Sequence, residues 1–148
     1  MNALDRRLSA LLLDVYESAA NPEHWRVTSA NLAEDMEATK ASIHVHAFAK
    51  NRWSKHTSGN RIHRIGYDEA ASAAYAKYFA VRDPYIQRIR ERFPRDGSGT
   101  STELITTSEL RQTEFYQDYG RANGIFYLGW TIIEQNEQQG TLNQHCSI

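Results

Sequence analysis

Few side chains in this sequence are spaced for chemistry. His44 and His46 are two apart in the alternating stretch Ser42 to Phe48, so on a strand both imidazoles point to one face. Two imidazoles on one face begin a metal site, but a site needs a third or fourth ligand. The other histidines considered, His24, His56 and His63, are scattered and offer no ligand spacing. No metal or other cofactor is therefore expected, and the His44/His46 face is read as solvated or covered by a helix. Cys146 has no paired His nearby, and a nucleophile needs a base. There is no Gly-x-Ser-x-Gly elbow. Gly97-Ser98-Gly99 lacks the Gly-Lys-Ser/Thr ending of a phosphate loop. The carboxylate pairs Glu34-Asp35 and Asp68-Glu69 are adjacent, so on helices they do not share a face. These absences predict that the chain is not an enzyme.

Tyr75, Tyr78 and Asp83-Pro84 form a sharper set. An ionised carboxylate only accepts hydrogen bonds, so it can hold a buried donor, and aromatic walls supply apolar area and shape. The same residues also have a structural use. Asp is a good N-cap, Pro84 suits the first helical position, and Tyr75 and Tyr78 fit a core stripe. Trp53, on a possible edge strand, and Trp130, on the last strand, either floor a pocket or fill the core. Lys50, Arg52, Lys55, Arg61 and Arg64 lie in a stretch with no acidic residue. Such a run attracts phosphate or an acidic partner, or is a solvated hairpin.

The elements that must position these residues follow from the pattern. Leu4, Leu8, Leu11, Leu12, Val15, Tyr16 and Ala19 make one apolar stripe over a helix at 3–20. Asn21-Pro22 starts a second helix, to about Ala38, with Trp25, Leu32 and Met36 facing inward. Ser42–Phe48 reads as a strand, paired with Arg52–Ser58 across Lys50-Asn51. Asp68 caps a helix to about Val81 that buries Ala71, Ala74, Tyr75, Tyr78 and Phe79, and Asp83-Pro84 starts another. Thr106-Thr107-Ser108-Glu109 is a capping box. Its helix turns Leu110, Phe115, Tyr119 and Ala122 inward and stops at Asn123-Gly124. Ile125–Ile133 is β-branched and aromatic and reads as a strand. Beyond Glu134 the chain turns polar, and little packed structure is expected at 135–148. The sum is an α+β domain over 1–134 with a polar C-terminal tail.

Composition sets the outer limits. The chain has 148 residues, 41% hydrophobic and 24% charged, which suits one globular domain. No apolar run approaches a membrane span, and no signal peptide is read at the N-terminus. One cysteine cannot form an internal disulfide, which fits a reducing, cytoplasmic setting. Seventeen basic and eighteen acidic side chains leave a net charge near −1, against the basic balance of a dedicated nucleic-acid binder.

Two segments carry a family resemblance. One is Gly66-Tyr67-Asp68, then Tyr75-Ala76-Lys77-Tyr78-Phe79 and Asp83-Pro84. The other is Thr102-Glu103-Leu104-Ile105, Ser108-Glu109-Leu110 and Glu114 to Tyr119, closing at Asn123-Gly124-Ile125. In this order, after a Leu-rich helix and Pro22-x-x-Trp25, they resemble the N-terminal sensor domain of LuxR-type transcriptional regulators over roughly residues 8–133. The resemblance implies a PAS/GAF-like α/β sandwich: a small antiparallel sheet with helices on its faces. It also implies a small-molecule signal bound between sheet and helices, coupled to folding or to homodimer formation. Acyl-homoserine lactone is one option for that signal, as in quorum sensing. In the autoinducer-binding branch, the matching Asp-Pro and upstream aromatics line the pocket, and the Asp accepts a bond from the ligand amide. The resemblance points to Tyr75, Tyr78 and Asp83, and with Trp53 and Trp130 from their strand positions these make the expected ligand-binding set. Nothing after Ile133 resembles the helix-turn-helix domain of such regulators, so no direct DNA binding is expected of this chain. Their further C-terminal strand is also not recognisable in the sequence. The alternative is a ligand-free module that pairs with full-length regulators through the Leu4–Ala19 helix and the Ile125–Ile133 strand.

Overall fold

The protein's structure is a computed structural model that describes residues 2–48, 56–136 and 139–147. Helix α1 spans Ala3–Ala20, and Asn2 and Asp5 close a reciprocal capping box at its start. A short 3-10 turn, Pro22–His24, leads into α2, Trp25–Asp35. Strands β1 (Lys40–Phe48) and β2 (His56–Ile65) follow. Asp68 accepts from the Ala71 amide and starts α3, Glu69–Ala74. That helix widens into a π turn, Tyr75–Phe79, and tightens through Ala80–Arg82. Asp83 caps α4, Pro84–Arg92. Strand β3 is Ser98–Thr100, α5 is Thr107–Gln112, and a second π turn spans Tyr116–Gly120. Strands β4 (Tyr127–Gln135) and β5 (Gln139–Ser147) end the described chain.

The five strands form one antiparallel sheet in the order β2-β1-β5-β4-β3. This overturns the expectation of a polar tail with little packed structure. Residues 139–147 form the central strand, paired with β1 on one side and β4 on the other. The main chain makes these pairings, so Gln, Asn and Gly do not prevent them.

Helices cover both faces of β1. Ala41 and Ile43 are buried on the face that α2 packs against, and His44 and His46 are buried on the other. The main core lies on the His44 side. Leu128, Trp130 and Ile132 of β4 meet Tyr85, Ile86, Ile89, Leu104, Leu110 and Phe115 there.

The α1 stripe departs from the sequence expectation. Leu4, Leu8, Leu12, Val15 and Tyr16 are exposed, and Ser18 is the buried residue of this helix. A polar seam joins α1 to α2 instead. Ser18 Oγ lies 2.8 Å from Thr28 Oγ1, Asn31 Nδ2 donates to Asp14 at 2.7 Å, and His24 pairs with Asp14 at 3.0 Å. Arg7 pairs with Asp35 along the same seam. These bonds fix the rotation of α1 and turn its apolar side away from α2. Met36 and Ala122 are likewise exposed rather than inward.

Candidate functional site

Asp83 is the buried centre of the candidate site. Its backbone is extended (φ −67°, ψ 110°), which frees the side chain to cap α4. Oδ1 accepts from the Tyr85 amide at 2.9 Å and the Ile86 amide at 3.4 Å. Oδ2 accepts from the Tyr75 hydroxyl at 2.9 Å. Burial pushes its pKa up to about 6, although these bonds and the charge of Arg64 pull the other way. Burial also holds the Tyr75 phenol well above its ordinary range, with the Asp83 charge second.

The two π turns place the aromatic neighbours. The first carries Tyr75 and Phe79, and the second carries Tyr119. Tyr119 lies 5.8 Å from Tyr75 and stacks on Phe79 at 4.9 Å. His44 of β1 closes the other side, 4.9 Å from the Tyr75 ring, and His46 stacks on His44 at 5.4 Å. Ser42 Oγ lies 2.6 Å from His44 Nε2. The His44/His46 face is thus covered by a helix, one of the two readings the sequence left open.

A basic edge completes the cluster. The Arg64 guanidinium, at the end of β2, lies 3.6 Å over the Tyr67 ring and 5.0 Å from that of Tyr75. It donates to the Tyr119 hydroxyl at 2.9 Å, and that hydroxyl donates to the Ala71 carbonyl at 3.0 Å. Lys40 Nζ approaches the Tyr67 ring at 4.7 Å and donates to the Gly66 carbonyl at 2.6 Å. Gly66 has φ +78°, and a Cβ there would stand 2.3 Å from the Thr39 carbonyl oxygen. Glycine is therefore required for this turn from β2 toward α3.

The five residues picked from the sequence fall apart into separate places. Tyr75 and Asp83 meet directly. Tyr78 does not join them, because it points outward, bonds Glu114 at 2.5 Å and carries Arg82 over its ring at 3.7 Å. Trp130 is buried elsewhere, 4.7 Å from Phe93, with Nε1 donating to the Thr100 carbonyl at 3.4 Å. Trp53 lies outside the described residues, as does most of the strand expected at Arg52–Ser58. Sequence reasoning missed Arg64, Tyr67, Lys40 and Tyr119 as one group. Their only advance signals were the basic run ending at Arg64 and the Gly66-Tyr67 pair.

Two open clefts lie away from this cluster. One, of about 460 Å³, separates α1 from α2 and is lined by Arg7, Leu11, Asp14, Asn31 and Asp35. The other, of about 450 Å³, lies beside the end of α2 over β3 and β4, against Leu32, Met36, Thr131 and Ile133, and Trp130 lines it as well as packing on Phe93. Neither is lined by Tyr75 or Asp83, and both of those side chains are buried, so this part of the aromatic layer is closed to solvent.

No family profile matches the sequence, and no curated protein matches it significantly. The structure does match a solved one. The VqsR LBD domain from Pseudomonas aeruginosa superposes with a TM-score of 0.72 at 14% identity, covering 99% of this chain and 81% of that one. The chain shares the fold of that domain. At this identity the likeness speaks for the fold, which is α+β as the pattern of helices and strands predicts. Among the described residues, no helix is long and apolar enough to cross a membrane.

Proposed function

We propose that this chain is a small-molecule-sensing regulatory domain of LuxR type. Its signal enters the layer between β1–β2 and the α3–α4 segment, and binding is coupled to folding or to homodimer formation in the cytoplasm. The carrying observation is the Tyr75–Asp83 pair, a buried hydrogen-bonded polar pair set among His44, Arg64 and the rings of Phe79 and Tyr119. Buried polar groups are costly to retain where packed apolar side chains would serve stability as well. Two π turns facing one another across the same layer support the reading, because such turns recur at functional sites. The fold of the VqsR LBD domain supports it too. Because the layer is closed, the signal has to part the aromatic contacts and then hold them apart. A ligand that binds only the folded chain adds about 2.7 kcal/mol when present at roughly a hundred times its Kd.

Hydrogen exchange tests this reading without knowledge of the signal. The natively purified chain is compared with the same chain stripped under denaturing conditions and refolded. Faster exchange of residues 64–92 and 113–125 after stripping is expected. Identical exchange in both preparations would overturn the reading.

One observation favours a second reading, a ligand-free interaction module that pairs with full-length regulators. Five large apolar residues of one helix, Leu4, Leu8, Leu12, Leu13 and Tyr16, are each more than half exposed. Exposed patches of this kind mark interaction sites.

A further inference from the structure

The search for a ligand's polar anchor leads away from Asp83. That carboxylate already accepts from Tyr75, Tyr85 and Ile86 and is occupied as a helix cap. The basic edge is different. Arg64 and Lys40 both reach the Tyr67 ring, and neither forms an ion pair among the described residues. The Nε of Arg64 is buried and has no hydrogen-bond partner among the described residues. A buried donor without an acceptor is costly; the terminal nitrogens of Arg64 already donate to the Tyr119 hydroxyl and the Ala71 carbonyl, so Nε–H is the group that calls for an acceptor such as a carboxylate. The basic stretch that ends at Arg64 has no acidic residue to neutralise it from within.

We propose that the signal is a small organic acid: its carboxylate is read by Arg64 and Lys40 at the Tyr67 edge, and its apolar body lies against Tyr67 and Tyr75. This rests on the sensing reading above and names the ligand class of that same layer. It differs from what the family resemblance implies, an amide donating to the Asp. Arg64 supplies two jobs in one side chain. It ties β2 to the second π turn through Tyr119 and leaves Nε for the ligand. Lys40 adds charge from β1, where the Gly66 turn holds its ammonium.

The test is calorimetric titration of the full chain with four probes. Three share one body: 4-phenylbutyrate, 4-phenylbutyramide and 4-phenylbutylamine. The fourth is N-octanoyl-homoserine lactone. The butyrate is expected to bind about tenfold or more tighter than the amide, because a charge-assisted bond replaces a neutral one. Its affinity should fall as salt rises. Arg64→Gln and Lys40→Gln should each erase most of that preference, and Arg64→Lys should restore part of it. Asp83→Asn should leave the preference in place. Because Arg64 also holds Tyr119, Lys40→Gln is the variant that reads ligand recognition with the least effect on folding. Binding of the amide or the lactone as tightly as the acid would overturn the carboxylate assignment and leave the sensing reading standing. Failure of all four probes would also overturn it, and the sensing reading would then rest on hydrogen exchange alone.

Discussion

The hydroxyl of Tyr75 donates to Oδ2 of Asp83 at 2.9 Å, and both side chains are withdrawn from solvent. The bond joins the π turn after α3 to the cap of α4. Movement of Tyr75 therefore reaches the start of the next helix directly. Under the proposed sensing function, a ligand that displaced the ring would alter the cap and so couple occupancy to the packing of α4 on the core.

Tyr75→Phe removes the donor and leaves Oδ2 buried with one partner fewer. The expected cost is about 1–3 kcal/mol in urea denaturation. A change near zero would show that water or a neighbour replaces the hydroxyl.

Asp83 predicts a pH dependence of definite sign. Its folded pKa is raised, from 3.8 to about 6, so the folded state holds the proton more tightly than the unfolded one. Its contribution is complete below about pH 4 and is lost as pH rises through about 6. A shift of this size corresponds to about 3 kcal/mol. Asp14 and Glu109 are lowered by their hydrogen bonds and act in the opposite direction, losing stability as pH falls. The quantity to measure is therefore the difference between wild type and Asp83→Asn, by urea denaturation from pH 4 to pH 7. Wild type should lose ground to the variant as pH rises.

The exposed stripe of α1 predicts an inversion of ordinary expectations for a Leu-rich helix. Leu8→Ser and Leu12→Ser should each change stability by less than about 0.5 kcal/mol, as surface substitutions do. Ser18→Ala, which breaks the bond to Thr28, should cost about 1 kcal/mol. If the leucines prove the costly ones, a partner covers them in solution, and sedimentation across concentrations would show it.

Gly66→Ala should destabilise by more than about 1 kcal/mol, since φ is +78° and the added Cβ meets the Thr39 carbonyl. It should also displace Lys40, whose ammonium rests on the Gly66 carbonyl.

What the sequence made legible was local. The caps at Asp68, Asp83 and Thr106 and the positive φ of Gly124 are bonds and angles between near neighbours, so residue type is enough to place them. The 3.6-residue period found α1 almost to the residue, but a stripe does not say what covers it. The seam of Asp14, Ser18 and Thr28 decided the rotation, and polar residues give no periodic signal. Strand β5 was illegible because its pairing with β1 and β4 is made by the main chain across long separations. The Tyr75–Asp83 contact spans eight residues and was within reach of inspection. Arg64 meeting Tyr119 spans fifty-five, and only the folded chain brings them together.

The central claim is that the closed layer around Tyr75 and Asp83 holds a signal. Native mass spectrometry of the purified chain, followed by denaturing extraction, tests it most directly. The account predicts one small molecule per chain, retained under native conditions and released on unfolding. A folded chain at its bare mass, dimeric and empty, would contradict it and favour the interaction module.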